Sequence, residues 1–515
     1  MEVGCRFEGM NIIFEGMNIM KVVLFSPRAQ KDRESAVFPL GLLSIASHLK
    51  RCGHSVKLVD RNASAKDYKN VIKNFKPDIV GISFLSTKTT EDVIAISDYA
   101  HSKGIPVIFG NTLASATADV LLNDGYADYV GIGEGEFIFE DLLKALEKQT
   151  PVREVKGLAY KEGDEIVYTE PRPFAEGWQL PVIDWTLIDP LKYAQPIYGC
   201  KKMGFVYASK GCPGNCAFCF NEVFHKRERR TRPYEKVVNE IRDLVEVYGF
   251  DGIFFGDELW SVSREELYDK CKVIKEMNLP FVWGCHLKVG MYNQEDYHFM
   301  YECGCRWIFY GVESGSERIL RQVNKRTKPE QAIDTIRMTY EAGIMTLPSF
   351  IIGFPDEEEE DLRQTVELIK AIQPYSNAKA FFLSPLIGTQ LYSYLIEKDV
   401  LKKVEHTGQL DTQWNEVKNN YSNIPTKELK VVYSHIIWWS ITNNVKNIKE
   451  KESKKKGYHH PTKVMLSVLG RMKQSSIKQI VPNVFNTASE LAQILYHLLF
   501  FPKIRKKYGL KRPRK

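Results

Sequence analysis

Two series of short apolar runs, each followed by a stretch with helical spacing, constrain this chain more than any other feature. The first series is Lys21–Phe25, Val56–Val59, Ile79–Phe84, Val107–Phe109 and Tyr129–Ile132. Between and after these runs lie Gly41–Lys50, Lys66–Phe75, Thr90–Ser102, Ala114–Asn123 and Phe137–Lys148. Unbroken apolar strands between helices indicate a parallel sheet covered on both faces. Such a sheet binds ligands beyond the carboxyl ends of its strands. Those ends carry Ser26-Pro27, Ser83-Phe84-Leu85-Ser86, Gly110-Asn111-Thr112 and Gly131-Ile132-Gly133-Glu134-Gly135-Glu136. Small residues there let a large ligand approach the backbone, although ordinary βα turns share that composition.

The second series is Phe205–Ser209, Gly252–Phe255, Phe281–His286, Trp307–Val312, Pro348–Ile352 and Lys379–Leu383. Its helical stretches are Tyr234–Tyr248, Arg264–Met277, Gln294–Glu302, Pro329–Ala342 and Glu357–Ile372. This repetition closes toward a barrel of six units rather than eight, with chemistry on the loops after the strands. Residues 149–203 are punctuated by proline and hold a hairpin signal, Gly157–Thr169 around Glu162-Gly163-Asp164. They read as a linker with little chemistry of its own. A length of 515 residues predicts about three domains. The expected division is 20–148, 204–395 and a helical region at 396–515, with 1–19 as an extension.

Ten cysteines in such a chain are too few for a disulfide framework, but three crowd together in Cys212-Pro213-Gly214-Asn215-Cys216-Ala217-Phe218-Cys219. They follow the first strand of the second series. Three thiolates on a tight loop can hold three irons of a [4Fe–4S] cube and leave the fourth iron open to a ligand. Pro213 and Gly214 let the loop curl. The alternative is a structural zinc site, which usually wants four closed ligands. His225 is a distant candidate for the fourth. A cysteine cluster of this kind points to a reducing compartment, hence to the cytoplasm.

CPGNCAFC after a barrel strand resembles the motif of the radical S-adenosylmethionine (radical SAM) enzymes, with Phe218 as the aromatic before the last cysteine. The preceding unit, with PLGLLSIASHLKRCGH at Pro39–His54 and GIGEGE at Gly131–Glu136, looks like the cobalamin-binding domain of the cobalamin-dependent class. The resemblance covers residues 20–395. It implies an α/β fold: a Rossmann-like cobalamin-binding domain, then a partial (β/α)6 radical SAM barrel and an α-helical C-terminal region. It also implies three cofactors, a [4Fe–4S] cluster, S-adenosylmethionine (SAM) and cobalamin.

Further residues are carried over from that resemblance. Cys212, Cys216 and Cys219 are the cluster ligands and the catalytic centre. Gly256-Asp257-Glu258 stands where the family places polar groups near the methionine amine. Gly311-Val312-Glu313-Ser314-Gly315 resembles its GxESG segment, making Glu313 and Ser314 SAM-site candidates. Gly353-Phe354-Pro355 matches its G-x-P turn near the adenine. Pro385-Leu386-Ile387-Gly388-Thr389 resembles P-x-PGT, with Ile387 in place of proline. Each has the plainer reading of a barrel-end turn or cap. Ser83, Ser86, Gly110, Gly133, Glu134 and Gly135 are the cobalamin candidates. The D-x-H-x-x-G feature that supplies an axial histidine in many cobalamin domains is absent: Ser26-Pro27-Arg28-Ala29-Gln30-Lys31 has no histidine. Cobalamin is therefore expected without a histidine from this loop, and His48 is expected to be structural. Where related domains often read GG-x-H, this chain has Gly110-Asn111-Thr112-Leu113.

The activity implied is reductive cleavage of SAM to a 5′-deoxyadenosyl radical, followed by methylation of an unactivated carbon in a small-molecule or lipid substrate. A reductant such as flavodoxin or ferredoxin would supply the electron. The rivals are a cobalamin-dependent cyclase, like the anaerobic cyclase of chlorophyll synthesis, and a non-catalytic cobalamin-binding regulator. Tyr310, Cys285 and His286 near strand ends either relay a proton or pack the barrel. Cys5, Cys52, Cys200, Cys271, Cys303 and Cys305 read as buried apolar residues.

Charge is uneven. Residues 463–515 hold 12 Lys/Arg and one acid, Glu490, so the rest of the chain (59 basic, 63 acidic) is at −4 although the whole is at +7. A body-wide nucleic-acid surface is thereby excluded. Val484–Phe501 is apolar and precedes a basic cluster, which suits peripheral contact with the inner membrane face. The alternative is a helix capping the barrel mouth. Phe7–Ile12 and Phe14–Ile19 repeat FEGMNI, and the acids in them argue against a signal peptide. Translation is expected to begin at Met17 or Met20.

Overall fold

The computed structural model describes residues 18–28, 37–64, 66–410, 420–452, 497 and 501–510. Nearly all of the FEGMNI repeat and of the 484–501 segment, and the last five residues, lie outside the described residues.

The first sheet contains β1 (Lys21–Ser26), β2 (Ser55–Asp60), β3 (Ile79–Ser83), β4 (Val107–Gly110), β5 (Tyr129–Gly131), β6 (Leu158–Glu162) and β7 (Glu165–Tyr168), in the order β2-β1-β3-β4-β5-β6-β7. β1 to β5 pair in parallel, as expected from their apolar runs. Alternate residues of β1 point to opposite faces. Val22 and Leu24 pack with helices Leu40–Arg51 and Gly135–Lys148, whereas Val23 and Phe25 pack with Tyr68–Phe75 and Thr90–His101. The chain crosses over β1 between β2 and β3, so the topological switch, where such sheets leave a ligand crevice, lies at β1/β3.

Two expectations need correction. The helix expected over Ala114–Asn123 is two short helices, Thr112–Ala116 and Ala118–Asn123. They break at Thr117, whose hydroxyl donates to Leu113 O at 2.8 Å. The hairpin in the linker is an integral part of the first sheet, because β6 pairs antiparallel with β5, Tyr129 against Tyr160. The rest of the linker is also fixed in place. Glu240 forms a fully buried ion pair with Arg232 and accepts from Ile183 N, while Trp185 Nε1 donates to Glu240 O. Phe38 meets Trp185 and Tyr193 at 5.0 Å each, and one continuous apolar core runs from the first sheet into the second unit.

The second unit begins with β8 (Met203–Val206), then a two-stranded ribbon of β9 (Ser209–Lys210) and β10 (Arg230–Thr231). The single strand expected at Phe205–Ser209 is therefore interrupted at Tyr207-Ala208. β11 (Gly252–Phe255), β12 (Val282–Leu287), β13 (Cys305–Glu313), β14 (Met345–Ile352) and β15 (Lys379–Phe382) complete a six-stranded parallel sheet in chain order, β8-β11-β12-β13-β14-β15. This is a curled, open barrel with helices outside. Phe205, Phe254, Trp307 and Phe309 fill its inner face. Gly284 is required there, since a Cβ would lie 2.1 Å from the Trp307 indole nitrogen.

The C-terminal helix Thr426–Glu452 packs on β15, and the short helix Pro502–Lys507 packs on both it and the barrel. Lys507 pairs with Glu359 and Glu428 at 2.6 and 2.9 Å, and Arg505 is buried. This part of the basic tail faces the protein. Among the described residues, no helix is long and apolar enough to cross a membrane.

Candidate active site

The cysteine loop leaves β9 directly. Asn221 clamps Cys212 from both sides: its Oδ1 accepts from Cys212 N at 2.8 Å and its amide donates to Cys212 O. Cys219 N donates to Cys216 O at 2.9 Å, and Ala217 is held by Val323 O and Leu391 N. Gly214 N donates to Cys212 Sγ at 3.4 Å. A Cβ on Gly214 would stand 3.3 Å from Cys212 Sγ and 4.0 Å from Cys216 Sγ, so glycine leaves both sulfurs room. The three sulfurs do not form a set lying wholly within 4.8 Å. A single tetrahedral zinc would draw them to about 3.8 Å of one another. Their wider spacing fits a multi-iron cluster. His225, the conceivable fourth zinc ligand, points instead to Glu258 at 3.5 Å and Arg230 at 3.1 Å. Burial pushes the Cys219 thiol up to about 11 and raises that of Cys216, a cost that metal binding offsets by displacing the proton.

On the SAM side, Glu313 pairs with half-buried Lys325 at 2.8 Å. Both act electrostatically on Cys216, which places the pair beside the cysteine loop. Glu313 has a φ of 71° at a register shift between β13 and β14. A non-glycine residue held there is a strained position of the kind found at ligand sites. Phe218 stacks at 5.9 Å against Phe354 of the Gly353 turn. That turn, with Gly353 at φ 86°, is fastened by Gly353 N donating to Glu357 Oε2 at 2.6 Å.

Two candidates on this side have internal roles. Ser314 is fully buried, with its hydroxyl 3.2 Å from Thr365 Oγ1 and accepting from Ser316 N. Asp257 is fully buried and accepts from Ala208 N at 3.0 Å and from the Ser209 hydroxyl, pinning the start of the cysteine loop. Its neighbours Gly256 and Glu258 are exposed to a cleft, and Glu258 accepts from Gly211 N at 2.9 Å.

That cleft, of about 270 Å³ and open to solvent, lies between the carboxyl ends of the first sheet and the start of the barrel. Ser83, Gly110, Gly133, Glu134 and Gly135 line it from one side, and Gly256 and Glu258 from the other. A Cβ built on Gly110 or Gly133 meets nothing within 4 Å, so both present bare backbone to the cleft. Gly135 differs: its Cβ would be 2.6 Å from Ile45, so this glycine serves helix packing. Ser86 is absent from the lining and caps a short 3-10 turn through Lys88 N.

Glu134 is engaged in a polar latch, accepting from Arg230 at 2.6 Å and from Ala175 N at 3.3 Å, with Lys210 at 3.4 Å from its Oε1. Asn111, Tyr207, Lys210 and His225 also line the cleft and were not singled out for it from sequence. Asn111 shows a signal in hindsight, the φ of 85° that its turn demands. The histidine in the lining is His225, from the barrel. His48 is paired with Glu140 at 2.7 Å, outside the lining. Tyr310 and Cys285 are wholly buried, and Tyr310 OH is bonded to Thr339 at 2.8 Å. His286 sits against Phe254 and Phe309 with Nδ1 on Asp257 O.

A model of the Radical SAM superfamily matches residues 206–369, and one of the B12 binding domain matches residues 31–143. The uncharacterized methyltransferase PH0819 of Pyrococcus horikoshii is 30% identical over 396 residues, covering 75% of this chain and 85% of that protein. The anaerobic magnesium-protoporphyrin IX monomethyl ester cyclase of Synechocystis sp. is 23% identical over 387 residues, covering 73% and 75%. Among solved structures, the cobalamin-dependent S-adenosylmethionine radical enzyme OxsB, with aqua-cobalamin and S-adenosylmethionine bound, superposes with a TM-score of 0.68 at 16% identity. That superposition covers 95% of this chain and 80% of OxsB, and it shows the shared fold. With the cysteine loop and the strand-end cleft in place, these matches establish that the chain belongs to the cobalamin-dependent radical SAM enzyme family.

Proposed function

We propose that this protein is a radical SAM C-methyltransferase, transferring a methyl group to an unactivated carbon of a small-molecule or lipid substrate. The observation that carries the reading is the shared cleft: the strand ends of the cobalamin-type sheet and the loop after β11 line one space, and the cysteine loop starts from its wall at Ser209-Lys210. When bound, the cluster and SAM supply a carbon-centred radical and cobalamin supplies a methyl group.

The chain's own residues hold and exclude. Cys212, Cys216 and Cys219 hold the cluster, and Asn221 and Asp257 fix the loop that presents it. Gly110 and Gly133 leave room for a flat macrocycle. Glu313, poised beside Lys325, offers an acceptor for an ammonium or hydroxyl of SAM. The latch of Glu134, Glu136, Lys210 and Arg230 closes one side of the cleft against water. Few acid–base groups are needed, because the cofactors carry the chemistry. A reductant of the flavodoxin or ferredoxin class supplies the electron, and a cytoplasmic setting keeps the thiols reduced.

The test is anaerobic turnover of the reconstituted protein with methyl-labelled SAM, a strong reductant and extracts of candidate substrates. Label recovered in a product carbon supports methyl transfer. SAM cleavage with cobalamin bound and no label in any product favours the cyclase reading, which the Synechocystis relative keeps in view.

A further inference from the structure

We propose that His48, Cys52 and Glu140 form a zinc site on the first unit, separate from the cysteine loop and outside the cleft. His48 and Cys52 stand one helical turn apart at the end of helix Leu40–Arg51, so their side chains share a face. Glu140 comes from the facing helix, Gly135–Lys148. The three donor atoms all lie within 4.8 Å of one another, and no other set of three such donors does so among the described residues. Cys52 Sγ is 3.8 Å from His48 Nε2, and that same nitrogen is 2.7 Å from Glu140 Oε2. Tetrahedral zinc, with bonds of about 2.0 Å to nitrogen and oxygen and about 2.3 Å to sulfur, needs edges of about 3.3–3.6 Å. Admitting the ion opens the His48–Glu140 contact by about 0.6 Å and closes the Cys52–His48 contact by about 0.3 Å.

The surroundings suit a ligand set. Lys144 holds Glu140 Oε1 at 2.5 Å and leaves Oε2 for the ion, the outer support that ligating carboxylates usually have. The His48 ring is oriented edge-on against Phe137 at 4.6 Å. A nitrogen, sulfur and oxygen donor set suits zinc rather than magnesium or calcium, which prefer oxygen alone.

A second observation is independent. His54 is 5% exposed and neither ring nitrogen has a hydrogen-bond partner. Gly53, at φ 88°, turns the chain back after Cys52, and the charged groups acting on His54 are Glu147, Glu140, Lys144 and His48. A buried imidazole with both nitrogens idle is costly. The ion would tie together two helices whose preceding turns carry Ser44 and Glu136, which are bonded to each other at 2.5 Å beside the cleft.

The test uses the anaerobically reconstituted holoprotein, given zinc and then desalted. Expected are one zinc per chain beyond the cluster iron, a zinc-edge spectrum with one sulfur among nitrogen and oxygen scatterers, and a rise in melting temperature on adding zinc. Cys52→Ser and His48→Gln should weaken zinc binding at least about 100-fold with iron and cobalamin contents unchanged. Cys52→Ser changes one atom, and retained cobalamin reports that the variant is folded. Zinc absent from the parent protein, zinc retained undiminished by both variants, or zinc lost only on Cys212→Ala would each overturn the site.

Discussion

Lys210 Nζ lies 2.8 Å from Glu136 Oε1, joining the start of the barrel to the last helix of the cobalamin-type unit. The side chains are 17% and 3% exposed. Glu136 also accepts from Ser44, whose hydroxyl receives Tyr207 OH from the barrel at 3.2 Å. Burial opposes ionisation of Glu136, yet the Lys210 ammonium beside it holds the carboxyl down to about 2. A pair of this kind fixes the relative placement of two units more than it adds net stability.

Lys210→Met leaves Glu136 buried without its counter-charge. Chemical denaturation should show a loss of about 3–5 kcal/mol. Lys210→Met with Glu136→Gln should recover part of it, and additive single-variant losses would show that the two residues act separately. Because the folded carboxyl is depressed, the pair's contribution is complete above the ordinary value of 4.5 and disappears as pH falls toward 2.

Glu357 gives the opposite sign. It is completely buried, and burial pushes its carboxyl up to about 8. A raised carboxyl favours the folded state fully below 4.5, and that benefit is lost as pH rises through about 8. The melting temperature should fall between pH 5 and 9. Glu357→Gln should flatten that part of the curve while keeping an acceptor for Gly353 N.

Gly110→Leu projects a side chain into open cleft without backbone strain. Cobalamin retained after desalting should drop by about tenfold or more, while iron content stays unchanged. Equal loss of both would mean that the substitution disturbs the fold rather than the cleft.

Alanine at Cys212, Cys216 or Cys219 should abolish the cluster and all SAM cleavage, read by iron analysis and low-temperature electron paramagnetic resonance. Asn221→Ala is graded. It removes the clamp on Cys212 and spares the ligands, so cluster occupancy should fall by about tenfold rather than vanish.

The sequence by itself determined the two parallel sheets and the cysteine loop. Both are local signals: uninterrupted apolar runs such as Lys21–Phe25 and Lys379–Leu383 have few other stable uses, and the three thiols share one loop of eight residues. Only the tertiary structure decided which strand-end residues face the cleft. Ser83 does and Ser86 caps a turn; Glu258 does and Asp257 pins Ala208. Neighbours one to three residues apart in one loop share composition and motif. The directions of Ser83 and Asp257 are set by partners 28 and 49 residues away, Asn111 and Ala208. The latch of Lys210 and Arg230 on Glu134 and Glu136 was hidden for the same reason: charges that look solvated in a sequence are buried here because two units close over them.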